Sequence, residues 1–209
     1  GLGDVYKRQP YVSVWSEPYA NVWSVVKRQA GLSRGDWAEA ALRALEAGGM
    51  PAVAVEPLAK QLETTKGSFY WHFKDRADLI DAVVELWERR YVTDAIAHLS
   101  TIEDPTARLE RLFAVAATPG TGRIDLALTE ASKTNTAITD TVRRVQTRRV
   151  EFLAGIYEQL GLPSDTARQL AVLALLAQAG MAVVAQTAPE LIPIGEQLDT
   201  LHSLLIPPT

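Results

Sequence analysis

Hydrophobic positions along this chain recur at three- and four-residue intervals, and that spacing predicts a series of helices. Val55, Leu58, Ala59 and Leu62 follow the i, i+3, i+4, i+7 rule and predict a short helix over 55–62. Pro57 fits its first turn, where the missing N–H costs nothing. A break at Glu63-Thr64 leads into a second short helix, in which Phe69 and Phe73 lie four apart and share one face. Upstream, Ser33 reads as an N-cap with Asp36 three residues on. It opens a helix to Ala47 with a stripe of Trp37, Ala41, Ala44 and Leu45, ended by Gly48-Gly49. Downstream, Leu79, Ile80, Val83, Val84, Trp87 and Tyr91 predict a long helix reaching Leu99. Further helices follow over 104–117, 124–133, 137–160, 164–186 and 190–206, and no strand-length alternation stands out. The fold class is therefore all-α.

The stretch from Thr64 to Arg76 is the least ordinary part of the pattern. If Phe69 and Phe73 turn inward, Gly67, Ser68 and Trp71 fall on the opposite side, with Tyr70 and His72 at its edges. Helices usually turn charged or small polar residues to water, so an outward Tyr and Trp imply a partner. Lys66, Lys74 and Arg76 bracket this face with positive charge, and small residues at Gly67 and Ser68 permit close approach to base edges. A short helix, a tight turn and a second short helix with such a face make a helix-turn-helix aimed at the major groove of DNA. The competing reading packs Tyr70 and Trp71 on the first or fourth helix. DNA contact is favoured for Tyr70, and Trp71 stays open between the two.

Leu170 to Ala185 carries no charged residue, and only Gln178 and Gly180 keep it from being wholly apolar. A membrane span needs about 20 residues, and this run is shorter and sits inside an amphipathic series. A helix apolar all round must be buried on every side, which points to a second copy of the chain. Leu173, Leu176, Gly180 and Val184, with Leu201 and Leu205 on the last helix, are the expected interface residues. The basic stripe Arg143, Arg144, Arg148 and Arg149 reads as solvated or paired with acidic neighbours.

Composition narrows the function classes. A chain of 209 residues, 47% hydrophobic, can bury a substantial core. With no cysteine, disulfides, thiolate metal sites and cysteine nucleophiles are excluded. His72, His98 and His202 have no metal-ligand spacing, so no metal is expected. The net charge of −4 divides unevenly: residues 27–76 carry eight Lys/Arg against six Asp/Glu, while residues 77–209 carry eleven against seventeen. A mildly basic head sits on an acidic body, the sign a DNA binder requires. Lys27-Arg28 before the first helix reads either as an arm reaching phosphate or as a solvated linker. Residues 4–9 resemble the in-frame translation of a sequencing adapter, so 1–26 is treated as an extension outside the functional argument.

Leu58-Ala59-Lys60-Gln61-Leu62, the run from Thr65 through Phe69-Tyr70-Trp71-His72-Phe73 to Lys74-Asp75-Arg76, and Leu79-Ile80 together resemble the DNA-binding domain of the tetracycline-repressor (TetR) family. The resemblance covers roughly residues 32–87. Two positions depart from it. Glu63 stands where the turn usually carries Gly, and Ala54 where Ser or Thr often caps the second helix; each costs on the order of 1 kcal/mol locally.

The resemblance implies a three-helix DNA-binding domain over 27–78, joined to a larger helical ligand-binding and dimerisation domain over 79–209. It implies a cytoplasmic homodimeric repressor on a palindromic double-stranded operator, paired through its last two long helices and released by a small apolar effector. Lys66, Gly67, Ser68, Tyr70 and Trp71 then meet base edges or sugar-phosphate. Thr65, His72, Lys74 and Arg76 hold phosphate, with Lys27, Arg28 and Arg34 as further backbone contacts. Trp87, Tyr91 and Phe113 are the expected wall of an effector pocket. No cofactor, catalytic residue or membrane partner is expected. An all-α enzyme finds no support, having neither a Gly-rich phosphate loop nor a Glu-x-x-His pair. A protein-binding helical adaptor with a degenerate DNA-binding head is the alternative, resting on Glu63 and Ala54.

Overall fold

The computed structural model describes residues 31–116, 121–188 and 190. The extension over 1–26, Lys27, Arg28, Leu201, Leu205 and nearly all of the expected last helix lie outside these residues. Every regular element among the described residues is helical. The described residues from Arg34 onward form one compact unit.

Helix α1, Arg34–Ala52, runs past its expected end, but Gly49 breaks its regularity with φ 68° and ψ −166°. Only glycine adopts that conformation without strain, so the expected stop is present as a kink. Helix α2, Val55–Gln61, starts at Ala54 with no side-chain cap. Glu63 takes the left-handed turn position with φ 52°. Helix α3, Lys66–Tyr70, is capped by Thr65, whose hydroxyl oxygen accepts from the Ser68 N–H at 3.3 Å. Five residues make a marginal helix alone. Tertiary packing holds this one: the buried Phe69 ring meets Trp37 of α1 edge-on at 5.3 Å and stacks on Phe73 at 5.3 Å.

The long connector is present, with one feature the periodicity did not reveal. Helix α4, Arg76–Glu88, passes into a π-helical segment, Arg89–Asp94, and then into α5, Ala95–Leu99. Asp75 caps α4 by accepting from the Asp78 N–H. The wider π segment sits where two neighbours pull on the connector: Arg90 pairs with Glu39 of α1, and Glu88, one residue before it, accepts two hydrogen bonds from Arg144.

The body contains α6, Pro105–Ala116, α7, Thr121–Ser132, α8, Thr136–Gln159, and α9, Ser164–Thr187. Its core gathers Leu109 and Phe113 of α6, Val150, Leu153 and Tyr157 of α8, and Ala167, Ala171 and Ala174 of α9. Burial without a hydrogen-bond partner among the described residues pushes the Tyr157 hydroxyl up to about 12. Helix α7 begins at Thr121 rather than in the expected 124 region. The Pro-Gly-Thr-Gly run reads as a loop from composition, yet Gly122 lies within α7, and a Cβ there would stand 2.6 Å from the Cβ of Ala182. Glycine is required by the close approach of α7 to α9, not by a turn. Helix α7 also packs on α1, so head and body meet through it as well as through the connector.

Two substitutions test this account. Replacing Glu63 with Gly should stabilise the head by up to about 1 kcal/mol, because relief of the left-handed strain is partly offset by greater unfolded-state freedom. Chemical denaturation monitored by circular dichroism reads this; a loss of stability would show that the Glu63 side chain outweighs its backbone strain. Phe69→Ala or Phe73→Ala should each cost roughly 3–5 kcal/mol in the same measurement, as a large ring leaves a closed core.

Candidate nucleic-acid interface and internal cavity

The two faces of α3 and the turn after it are sharply divided. Phe69 and Phe73 are closed off, while Tyr70 is 63% and Trp71 is 87% exposed. Tyr70 leans on Phe69 edge-on at 5.1 Å, which steadies its ring without covering it. Trp71, left open between DNA and packing, is not packed. Gly67 is exposed, and a Cβ there would find only the Thr65 hydroxyl oxygen, at an ordinary 3.5 Å. Nothing among the described residues demands glycine at that position.

The charged residues around this face divide into two groups. Lys66 pairs with Glu56 of α2 and Lys74 is exposed; both amines are on the surface. Arg34 and Arg76 are exposed as well, but their guanidinium groups brace the motif through bonds to the chain itself. Arg34 donates to the His72 carbonyl at 2.7 Å and to Asp78 at 2.6 and 3.3 Å, and its guanidinium lies 4.2 Å above the Phe73 ring. Asp78 also accepts from the Lys74 N–H at 3.0 Å. Arg34 beside it, and then that N–H, hold the Asp78 carboxyl below its ordinary range. Arg76 donates to the carbonyls of Val53 and Met50, both at 2.6 Å, clasping the link between α1 and α2. The Thr65 hydroxyl oxygen accepts as the α3 cap and keeps its O–H to donate, and the His72 side chain is half-buried. Sequence reasoning did not anticipate these bonds of Arg34 and Arg76, because pairings across 38, 44, 23 and 26 residues leave no local signature.

In the body, a cavity of about 130 Å³ opens between the π segment with α5, α6, α8 and α9. Tyr91 and Phe113 line it, together with Phe152, Gln178 and Met181, which sequence reasoning did not single out. Trp87 does not line it, correcting that expectation. Its ring is fully buried and its Nε1 donates to Asp125 of α7 at 2.9 Å. One helical turn before Tyr91, Trp87 faces α7 instead of the cavity. Asp125 in turn accepts from Arg149 at 2.5 and 3.3 Å, and Arg149, 5.7 Å from the Trp87 ring, lines the cavity. Burial raises the Tyr91 hydroxyl above its ordinary value. The rest of the basic stripe is engaged as expected: Arg143 with Asp140, Arg144 with Glu88 and Arg148 with Thr93.

The outer face of α9 is different in character. Leu173 is 55% and Leu176 61% exposed, Val172 and Val183 join them, Gly180 is open and Val184 is half-buried. Its inner face buries only Ala167, Ala171 and Ala174. This is the one helix among the described residues long and apolar enough to cross a membrane by length and composition.

Comparison with known proteins agrees with this geometry. Residues 38–83 match the family described as bacterial regulatory proteins, tetR family. The HTH-type transcriptional regulator AcrR of Shigella flexneri is 36% identical over 62 residues, 30% of this chain and 29% of that relative's length. A TetR transcriptional regulator from Legionella pneumophila superposes with a TM-score of 0.73 at 15% identity, covering 86% of this chain and all of that one. A candidate transcriptional regulator from Saccharomonospora viridis, solved in complex with choline, gives 0.69 at 23% identity, covering 82% of this chain and 94% of that one. At such identities the structural likeness carries the fold, and the sequence match carries the reading head. Over residues 38–83 this chain is thus similar to the bacterial regulatory proteins of the tetR family.

Proposed function

We propose that this chain is a cytoplasmic, homodimeric DNA-binding transcriptional regulator, a repressor that reads a palindromic operator and is released by a small apolar effector. One observation carries the reading: Tyr70 and Trp71 stand exposed beside a helix whose opposite face is locked into the core. Leaving two large aromatic rings in water is unfavourable unless a partner covers them. Tyr70, Trp71, Lys66, Gly67 and Ser68 meet base edges and sugar-phosphate. Lys74, Thr65, His72, and the arm at Lys27 and Arg28, hold the backbone and set register. Arg34 and Arg76 offer phosphate only the N–H groups left over from their internal bonds, and they act mainly by positioning the reading face.

The exposed apolar face of α9 supports the dimer, with Leu173, Leu176, Gly180 and Val184 meeting their counterparts in a second copy. Two-fold pairing makes the operator an inverted repeat. The cavity beside the connector supports the effector, since a ligand that prefers one body arrangement biases the spacing of the two heads by its differential affinity.

Selection of bound DNA from a random pool should return an inverted repeat whose binding weakens steeply with salt. On that DNA, Tyr70→Ala and Lys66→Ala should each cost about 1–3 kcal/mol per head in fluorescence anisotropy, with the helical circular-dichroism signal unchanged. Unfolding by Tyr70→Ala with unchanged binding per folded molecule would return Tyr70 to the core. Leu173→Asp buries an unpaired charge, at a cost of several kcal/mol, if the face is an interface. The variant should sediment as monomer or aggregate where the parent chain sediments as dimer; a monomeric parent at micromolar concentration refutes the pairing.

A further inference from the structure

We infer that the cavity takes an uncharged, ring-sized apolar molecule bearing one oxygen acceptor, and that Arg149 is the residue that selects it. The inference rests on the reading of this cavity as the effector site and names the chemistry it accepts. Its lining is apolar apart from Arg149, Gln178 and the Tyr91 hydroxyl, and among the described residues that line it none is acidic. An apolar cavity of about 150 Å³ holds a benzene-sized molecule, and this one encloses about 130 Å³.

Charge decides between the ligand classes of that size. Arg149 is already neutralised: Asp125 accepts from both its terminal nitrogens, and the two side chains are 20% and 17% exposed. A carboxylate ligand would put a second negative charge against one guanidinium in a low-dielectric site, or would displace Asp125 and leave it with only the Trp87 N–H. A cation would meet the guanidinium with no lining carboxylate to receive it.

A neutral oxygen adds no charge. A guanidinium has five N–H donors; Asp125 takes two, and among the described residues the other three meet no acceptor. A carbonyl or hydroxyl oxygen seated there gains a hydrogen bond to a charged donor while the ion pair stays intact. Arg149 thus serves as a donor whose charge is cancelled behind it. Because Asp125 also holds Trp87 on α4, the ligand's contact lies two hydrogen-bonded steps from the helix that enters the head.

The test is calorimetric titration of the full chain with four single-ring probes: ethylbenzene, acetophenone, benzoate and phenyltrimethylammonium. Acetophenone should bind at least tenfold more tightly than ethylbenzene, and both ions more weakly than acetophenone. Removing the two charges together, with Asp125→Asn and Arg149→Met, leaves no buried charge unpaired. It should bring acetophenone down to the affinity of ethylbenzene while ethylbenzene is unchanged. Equal binding of ethylbenzene and acetophenone by the parent chain overturns the role of Arg149 and leaves the cavity as a ligand site. Tighter binding of benzoate or of the ammonium ion overturns the neutral class. Should the double variant fail to fold, the ranking on the parent chain decides alone. Binding of none of the four sinks the effector-site reading and this inference with it.

Discussion

The packing of Phe69 and Phe73 against Trp37 is the contact on which the reading head depends. Helix α3 has five residues, far too few to persist on propensity, and its orientation is inherited from two rings on one side. Fixing that side fixes the other, so Tyr70 and Trp71 cannot turn inward without emptying the core. Arg34 reinforces the arrangement from the far end by capping the His72 carbonyl while lying over Phe73. A carboxylate, Asp78, holds that arginine and the Lys74 N–H together. The polar network thus seats the end of the reading segment on the start of the connector helix.

The connector carries this rigid seat into the body by more than one route. Its α-helical start is continuous with a π-helical segment that is gripped on both sides, by Glu39 of α1 through Arg90 and by Arg144 and Arg148 of α8 through Glu88 and Thr93. π segments are wider and less favourable than α-helix and persist where surrounding contacts impose them. Here the segment also supplies Tyr91 and Val92 to the cavity wall. Helix α7 provides a second route, packing on α1 while Asp125 binds Trp87 and Arg149. A change at the cavity therefore meets elements fastened to the head, the physical requirement for coupling two sites.

Two surfaces of the body have opposite electrostatic treatments. The cavity is apolar with one charge, and that charge is cancelled within the protein. The outer face of α9 is apolar with no charge at all over its middle turns, and the described residues leave it exposed. Small residues on its inner side let α7 and α8 close in, Gly122 against Ala182 among them.

Much of this was legible in residue order because it rests on local periodicity. The all-helical class, the helix-turn-helix, the inward Phe69 and Phe73 and the outward Tyr70 all follow from spacings of three and four. The strained Glu63 and the uncapped Ala54 were visible as departures from the pattern that the family resemblance supplies. Tertiary structure decided what depends on partners distant in sequence. It tied Arg34 and Arg76 to acceptors that come from elsewhere in the chain. It sent Trp87 to Asp125 rather than to the cavity, since a fully inward stripe on one helix is shared among several neighbours. It put Gly122, which composition alone reads as part of a turn, inside α7, where a neighbouring helix approaches too closely for any Cβ. The π segment likewise arises from contacts on both flanks of one helix. Periodicity says which side of a helix is buried; only the assembled fold says against what.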